Sequence, residues 1–230
     1  MSDTMTKTDK VLARKEGGVG YLTFNNPERH NAVSLDMWAA AEEIVAQYKA
    51  DRDVRVMVVS GAGGKAFVSG ADISRFDRDR ATPESVQRYG ENVERAYTAF
   101  HEFPKPTVAM IRGYCIGGGM ALATCCDIRI CSDDSKFGIP AAKLGLGYGY
   151  KGIKRLTDVV GPSYAKEIFY TARQFTAVEA ERMGLVNRVV SPDMLEQFVA
   201  GYTAAIAANA PLTVDFLSHL ARPACPIVPT

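Results

Sequence analysis

The residues Lys105–Ile130 read KPTVAMIRGYCIGGGMALATCCDIRI and carry the clearest signal of the fold. Thr107–Ile111 is an apolar run rich in branched side chains, which predicts a strand buried on both faces. Three glycines follow at 117–119, and the apolar residues after them predict a helix that begins at Met120. Asp127–Ser132 predicts another strand. This order of strand, glycine turn, helix and strand is typical of an α/β domain.

The same alternation extends to both sides of this stretch. On its N-terminal side the residue pattern predicts two strands and two helices: strands at Val19–Asn25 and Val54–Ser60, a helix with Ser34 as its N-cap, and a helix over Glu84–Phe103. On its C-terminal side the pattern predicts three helices and a short strand: helices at Gly161–Tyr170, Ala177–Met183 and Pro192–Asn209, and a strand at Leu185–Val190. The prolines at 223, 226 and 229 predict an irregular C-terminal tail.

Composition excludes several classes of function. Lys and Arg number 27 and Asp and Glu number 26 among 230 residues, so no basic surface for nucleic acid or membrane lipid is expected. No apolar run approaches the roughly 18–20 residues that a membrane span needs, and the polar N-terminus does not resemble a signal peptide, which predicts a cytoplasmic protein. The cysteines are odd in number and predict buried free thiols. His30, His101 and His219 show no metal-binding spacing.

Two glycine-containing turns are candidates for a functional site. The nearby stretch GAGGKAF, at Gly61–Phe67, is not a phosphate loop, because its spacing differs and no Ser or Thr follows the lysine. Gly70-Ala71-Asp72 and Gly117–Gly119 each follow a predicted strand and place small residues where backbone N–H groups are accessible. Two N–H groups aimed at one oxygen form an oxyanion hole. The alternative is that these glycines only allow close packing.

Five blocks of sequence, in this order, resemble the crotonase superfamily of enoyl-CoA hydratases and isomerases: NNPERHNAVS, KAFVSGADI, KPTVAMIRGYCIGGGMALATCCDIRI, FGIPAAKLGLG and AVEAERMGLVNRVV. The resemblance implies a crotonase-like spiral of ββα units over residues 1–190 and a short helical C-terminal segment over residues 191–230. That segment ends earlier than the family pattern, which is expected to weaken coenzyme A binding. The resemblance also implies homotrimers or dimers of trimers, an acyl-coenzyme A thioester as substrate, and neither a prosthetic group nor a metal.

The resemblance also implies which residues form the site. The N–H groups of Ala71 and Gly118 would form the oxyanion hole for the thioester carbonyl and its enolate. The residues implied to line the coenzyme A channel and the acyl pocket are Arg29, Ala32, Ser69, Ala71, Ile73, Gly117, Gly118, Ala121 and Ala141. Asp72 is expected to cap backbone donors rather than to transfer protons.

The sequence departs from the hydratase pattern at two positions. Hydratases carry glutamates where this chain has Ala121 and Ala141, and alanine can neither activate water nor protonate carbon. Hydration is therefore doubtful. Tyr148 matches a tyrosine of methylmalonyl-CoA decarboxylases in the superfamily, which offers decarboxylation as one alternative, although those enzymes have a histidine at the position of Ala71. A second alternative is that Tyr148 has only a packing role. A third is that the protein binds acyl-CoA without catalysing a reaction. Solvent-facing positions are expected for Lys151 and for Glu42, Glu43, Glu91, Glu94 and Glu167.

Overall fold

The computed structural model describes residues 9–72 and 82–220, which form two sheets and the helices around them. The larger sheet has the strand order β1-β2-β3-β5-β7-β10 and is parallel except for the pair β1 and β2. The smaller sheet has the order β4-β6-β8-β9. The strands are β1 Val11–Glu16, β2 Val19–Phe24, β3 Val56–Gly61, β4 Ala66–Val68, β5 Thr107–Ile111, β6 Tyr114–Ile116, β7 Ile128–Ser132, β8 Lys136–Gly138, β9 Phe175–Thr176 and β10 Arg188–Val190.

Seven α-helices lie within the described residues: α1 Leu35–Ala50, α2 Pro83–His101, α3 Gly118–Ala123, α4 Tyr150–Thr171, α5 Ala177–Arg182, α6 Leu195–Ala208 and α7 Pro211–Leu220. Short 3-10 helices span Pro27–Arg29 and Pro140–Leu144. The side chain of Ser34 accepts a hydrogen bond from the Met37 N–H, which confirms Ser34 as the N-cap of α1. Helix α4 bends at Gly161, whose φ of 76° and ψ of 166° are not helical.

A ββα unit repeats through the centre of the chain. The strands β3, β5 and β7 are neighbours in the larger sheet, and each is followed by a short strand, β4, β6 or β8, in the smaller sheet. Helical segments then lead to the next unit. This arrangement confirms the predicted α/β spiral of ββα units with a helical C-terminal region.

Both faces of the larger sheet are covered. On β3, Val56 and Val58 pack against Leu195 and Val199 of α6, whereas Met57 and Val59 face the main core under α1 and α2. This alternation confirms that the β-branched run from Val54 is a strand buried on both sides. The cysteines of the described residues are free and buried, as predicted: Cys115, Cys125, Cys126 and Cys131.

Several boundaries differ from the sequence predictions. Helix α3 begins at Gly118 rather than at Met120, and α4 begins at Tyr150 rather than at Gly161, within a segment that its glycines had marked as a loop. Strand β1, the short strands of the smaller sheet and helix α7 were not predicted. Cys225 and the predicted irregular tail, at residues 221–230, lie outside the described residues.

A buried arginine fixes the C-terminal end of α3. Arg129, on β7, is 6% exposed, and its guanidinium donates to the carbonyl oxygens of Leu185 at 2.7 Å, Ala123 at 3.3 Å and Cys126 at 2.6 Å. Burial lowers the pKa of Arg129 below its usual value. The side chain therefore supplies donors to Cys126 O, just after this helix, and to Leu185 O, and a second donor to Ala123 O, which also accepts from the Cys126 N–H at 3.2 Å.

Replacing Arg129 by Met is expected to lower the free energy of unfolding by about 2–4 kcal/mol, because buried carbonyl groups lose their donors. Urea denaturation followed by circular dichroism measures this loss. The control is Arg188→Met, at an exposed position of the neighbouring strand β10, which should stay within about 0.5 kcal/mol of the wild type. Equal losses in the two variants would contradict this account of Arg129.

Candidate active site

The first backbone donor of the candidate site is the N–H group of Ala71. Ala71 forms a parallel bridge with Val33, in which the Val33 N–H donates to Gly70 O at 2.9 Å and the Asp72 N–H donates to Val33 O at 3.1 Å. In such a bridge the residue between the two bonded neighbours directs its own N–H to the other side. The Ala71 N–H makes no hydrogen bond within residues 9–72 and 82–220.

The loop that carries Val33 is held by buried asparagines. Asn31 is fully buried, and its side chain donates to Ala62 O at 2.9 Å and to Ala66 O at 2.7 Å and accepts from the Asn26 N–H at 2.9 Å. These bonds fix the loop to the segment between β3 and β4. The asparagines of NNPERHN therefore position the Ala71 turn, a role that sequence analysis did not assign to them.

The second backbone donor is the N–H group of Gly118, the first residue of α3. Gly117 precedes it at φ 55° and ψ −112°, a conformation that side-chain-bearing residues avoid. A Cβ atom on Gly119 would lie 1.9 Å from Val68 O, so only glycine lets α3 pack this closely on β4. Among the described residues, the Gly118 N–H has no hydrogen-bond acceptor.

The two donors lie close together. A Cβ atom built on Gly118 would be 3.5 Å from Gly70 Cα and 3.8 Å from the Gly70 carbonyl carbon, which is bonded to the Ala71 nitrogen. The hydroxyl of Tyr97 donates to Gly118 O at 3.1 Å and holds Gly118 in place. Two neighbouring N–H groups without partners can stabilise one oxygen that gains negative charge.

A cavity of about 480 Å³ adjoins both donors. The predicted site residues that line it are Ser69, Ala71, Gly117, Gly118, Ala121, Ala141 and Tyr148. Most of the remaining wall is apolar: Trp38, Val86, Val93, Ile116, Leu144 and Leu146. Ala121 and Ala141 are buried in this wall, so the two positions at which hydratases carry glutamates contribute only methyl groups.

Tyr148 supplies one of the few polar groups of the cavity. Its ring packs edge-on against Phe169, with the ring centroids 5.1 Å apart, and it lies immediately before α4. Burial raises the pKa of Tyr148 to about 12, so the hydroxyl is protonated at neutral pH. In the part of the chain that the structure describes, no hydrogen bond engages this hydroxyl, which leaves it available to a ligand.

An ion pair that sequence analysis did not predict completes the cavity. Glu94, on α2, and Arg155, on α4, both line it, and Arg155 Nη1 and Nη2 each donate to a Glu94 carboxylate oxygen at 2.9 Å. The Arg155 side chain is 7% exposed and the Glu94 side chain 33%. The expectation that Glu94 faces solvent was therefore wrong.

A signal for this pair does exist in the sequence. Val86, Val93 and Tyr97 recur at helical spacing on one face of α2, and Glu94 lies on that same apolar face. A carboxylate at such a position requires a buried partner, but the sequence of one helix does not identify that partner.

Other predicted residues lie beside the cavity rather than in its wall. Arg29 Nη1 is 3.2 Å from the Asp72 carboxylate, an ion pair that sequence analysis did not predict, and the capping role of Asp72 remains a prediction. Ala32 is half-buried, and its carbonyl accepts a hydrogen bond from the Asn26 side chain at 2.9 Å. Lys151 is exposed, as expected. Ile73 lies outside the described residues.

The described residues contain neither a metal-binding cluster nor a membrane-spanning helix. Nowhere in residues 9–72 and 82–220 do three or more His, Cys, Asp or Glu side chains come together as metal ligands would. No helix in these ranges combines the length and the apolar character that crossing a bilayer requires.

Known proteins share both this sequence pattern and this fold. The family model described as "Enoyl-CoA hydratase/isomerase" matches residues 14–224. A short-chain-enoyl-CoA hydratase of Clostridium acetobutylicum is 35% identical over 206 residues, which are 90% of this chain and 78% of that protein. A peroxisomal Delta(3,5)-Delta(2,4)-dienoyl-CoA isomerase of Arabidopsis thaliana is 34% identical over 221 residues, covering 90% of this chain and 79% of the isomerase. The crystal structure of an enoyl-CoA hydratase/carnithine racemase from Magnetospirillum magneticum superposes with a TM-score of 0.91 at 37% identity, covering 95% of this chain and 82% of the other.

Proposed function

The chain belongs to the enoyl-CoA hydratase/isomerase family, and from that premise we propose that it is an enzyme that binds an acyl-coenzyme A thioester and stabilises the enolate of that thioester. The N–H groups of Ala71 and Gly118 bind the thioester oxygen. The acyl chain occupies the apolar cavity, and the coenzyme A portion leaves past Ser69 toward Arg29. Active homotrimers or dimers of trimers are part of the same proposal.

One observation carries this proposal: two neighbouring backbone N–H groups, without other acceptors among the described residues, adjoin an apolar cavity. When a thioester loses an α-proton or a carboxylate group, negative charge develops on the carbonyl oxygen. Each N–H donor aimed at that oxygen contributes about 3–4 kcal/mol to the transition state. Membership of the family supports acyl-coenzyme A thioesters as the substrate class. The two neighbouring N–H groups support stabilisation of the enolate intermediate.

The residues that line the cavity do not support a hydration reaction. Adding water to a double bond needs one group to activate the water and another to protonate carbon. The positions where hydratases carry these groups are Ala121 and Ala141, whose methyl groups can do neither. The proposed activity is therefore an enolate-forming reaction other than efficient hydration.

Decarboxylation of a malonyl-type thioester is the second candidate, and Tyr148 is the observation that favours it. Loss of carbon dioxide forms the enolate without any base, and a protonated hydroxyl can orient the departing carboxylate or protonate the α-carbon afterwards. Tyr148 lines the cavity, and burial raises the pKa of its hydroxyl to about 12, so the hydroxyl remains a donor across neutral and mildly alkaline pH.

For Tyr148→Phe, we expect kcat for methylmalonyl-CoA decarboxylation to fall by about 100-fold, because a positioned proton donor is lost. A raised pKa means that the neutral hydroxyl persists as the pH rises, so the wild-type rate should not decline through Tyr148 ionisation between pH 7 and 10. Product formation measured by mass spectrometry tests both statements. The matched control is Tyr150→Phe, at an exposed tyrosine two residues away. An unchanged kcat in Tyr148→Phe would remove this hydroxyl from the mechanism.

The enolate itself can be tested with butyryl-CoA, which can be neither hydrated nor decarboxylated. The wild-type protein in D₂O should exchange the α-protons of this thioester, and mass spectrometry should show the corresponding mass increase. A protein that binds butyryl-CoA, exchanges no proton and releases no product from crotonyl-, methylmalonyl- or ethylmalonyl-CoA would instead be a non-catalytic acyl-CoA-binding protein.

A further inference from the structure

We propose that Glu94 is a catalytic residue that transfers the α-proton of the bound thioester, so that helix α2 supplies the carboxylate that is absent at Ala121 and Ala141. This inference rests on the proposed function, because it assigns a base to the enolate that Ala71 and Gly118 stabilise. Neither the family pattern nor the resemblance described above points to a carboxylate at this position.

Glu94 is the one carboxylate among the described residues that line the cavity. It lies on the face of α2 that forms one wall of that cavity, together with Val86, Tyr89, Gly90, Val93 and Tyr97. Tyr97, three residues further along this face, donates to Gly118 O at 3.1 Å. The helix that carries the carboxylate is thus bonded directly to one of the two residues of the oxyanion hole.

The carboxylate lines the same cavity as Ala121, the vacant hydratase position on α3. Burial raises the pKa of the Cys125 thiol to about 12, while the charge of Arg155 lowers this pKa and the charge of Glu94 raises it. Cys125 in turn lies one turn after Ala121 and contacts the Ala121 carbonyl oxygen, with Sγ and O 3.2 Å apart. The short side chain at Ala121 leaves open the space that a glutamate there would fill.

Arg155 holds the Glu94 carboxylate in one orientation but does not occupy all of its hydrogen-bond acceptor positions. Each carboxylate oxygen can accept two hydrogen bonds. Oε1 accepts from Arg155 Nη1 and, at 3.4 Å, from the Thr98 hydroxyl, whereas among the described residues Oε2 accepts only from Arg155 Nη2. Oε2 therefore keeps a position for a proton, and one third of the Glu94 side chain is exposed. Burial is the largest single influence and lowers the pKa of Arg155, but the hydrogen bond to Glu94 and the nearby charges of Cys125, Glu94 and Tyr97 together raise this pKa overall, so Arg155 stays charged.

The proposed step is a reversible proton transfer. The Cα–H bond of the thioester breaks, the proton goes to a Glu94 oxygen, and the electron pair moves into a Cα–C double bond while the carbonyl oxygen becomes the enolate oxygen between Ala71 and Gly118. Return of the proton to the same carbon gives exchange with solvent. Return to a carbon further along an unsaturated acyl chain gives double-bond isomerisation. No oxidant, reductant or other reactant is needed.

The test compares the rates at which variants exchange the α-protons of butyryl-CoA in D₂O. Glu94→Gln keeps the shape of the side chain but removes its basicity, and we expect the exchange rate to fall at least about 100-fold. The matched control is Glu42→Gln. Glu42, on α1, forms an ion pair at 3.0 Å with Arg95, which lies next to Glu94 on α2, but Glu42 does not line the cavity. That variant should exchange at the wild-type rate.

A second variant separates catalysis from stability. Glu94→Gln leaves the buried Arg155 charge without its partner, so Glu94→Gln combined with Arg155→Gln replaces the ion pair by two neutral amides. This double variant should bind butyryl-CoA with a Kd within about threefold of the wild type, measured by calorimetry, and should also lose exchange. Exchange near the wild-type rate in either folded variant would overturn the role of Glu94. Absence of exchange in the wild type would overturn the proposed function, and this inference with it.

Discussion

Replacing Ala71 by proline should lower the rate of α-proton exchange by about 100- to 1,000-fold, the effect of removing one donor from an oxyanion hole. Proline has no N–H group, so only Gly118 remains to stabilise the enolate oxygen. The fold should tolerate the change, because the Ala71 N–H makes no hydrogen bond among the described residues and the bonds of the bridge belong to Val33, Gly70 and Asp72. Deuterium exchange of butyryl-CoA, followed by mass spectrometry, measures the effect.

The matched control for this variant is Ala71→Ser, which enlarges the side chain but keeps the backbone donor. It should lose less than about tenfold in exchange rate, a far smaller effect than the loss of a donor. Thermal unfolding should show that both variants remain folded. If serine and proline reduce the rate equally, or if the proline variant exchanges at the wild-type rate, the Ala71 N–H is not part of the site.

Replacing both Ala121 and Ala141 by glutamate should increase the rate of crotonyl-CoA hydration by about 100- to 10,000-fold, the usual contribution of positioned acid–base groups. Ala121 and Ala141 both line the cavity that adjoins the two N–H groups. Glutamate side chains at these positions would therefore place their carboxylates beside the bound acyl chain. The loss of the ultraviolet absorbance of the double bond conjugated with the thioester measures hydration.

The control for this gain is the double variant Ala121→Gln and Ala141→Gln, which has nearly the same volume but no titratable group. It should hydrate crotonyl-CoA no faster than the wild type. If the glutamate variant binds crotonyl-CoA with unchanged affinity and is no faster than the glutamine variant, the absence of these two carboxylates is not what prevents hydration.

Most of the long strands could be predicted from sequence, although β1 was missed, whereas the short strands of the smaller sheet could not. Thr107–Ile111 was predicted with the bounds that the structure shows. A run rich in β-branched residues between a proline and a glycine is compatible with few structures other than a strand. Strands such as Ala66–Val68 and Lys136–Gly138 are too short for any periodicity to show. The start of α4 was missed because glycines at 145, 147, 149 and 152 indicated a loop, although the last of these lies inside the helix.

The candidate site also has one part that could be predicted from sequence and one part that could not. Backbone donors such as those of Ala71 and Gly118 need particular turns, and glycines at fixed positions mark such turns in a sequence. Glu94 and Arg155 lie 61 residues apart in the chain, on different helices, so no local sequence pattern connects them. The pattern of α2 resembles that of an ordinary amphipathic helix, and only the packing of α2 against α3 and α4 shows that Glu94 faces a cavity.

In the proposed site the N–H groups of Ala71 and Gly118 together bind the thioester oxygen. A crystal structure of the protein with butyryl-CoA measures the two distances directly. We expect the oxygen to lie about 2.7–3.1 Å from both backbone nitrogens, with the acyl chain in the cavity beside Ala121 and Glu94. A bound thioester whose carbonyl oxygen lies beyond hydrogen-bonding distance of both nitrogens would contradict this expectation.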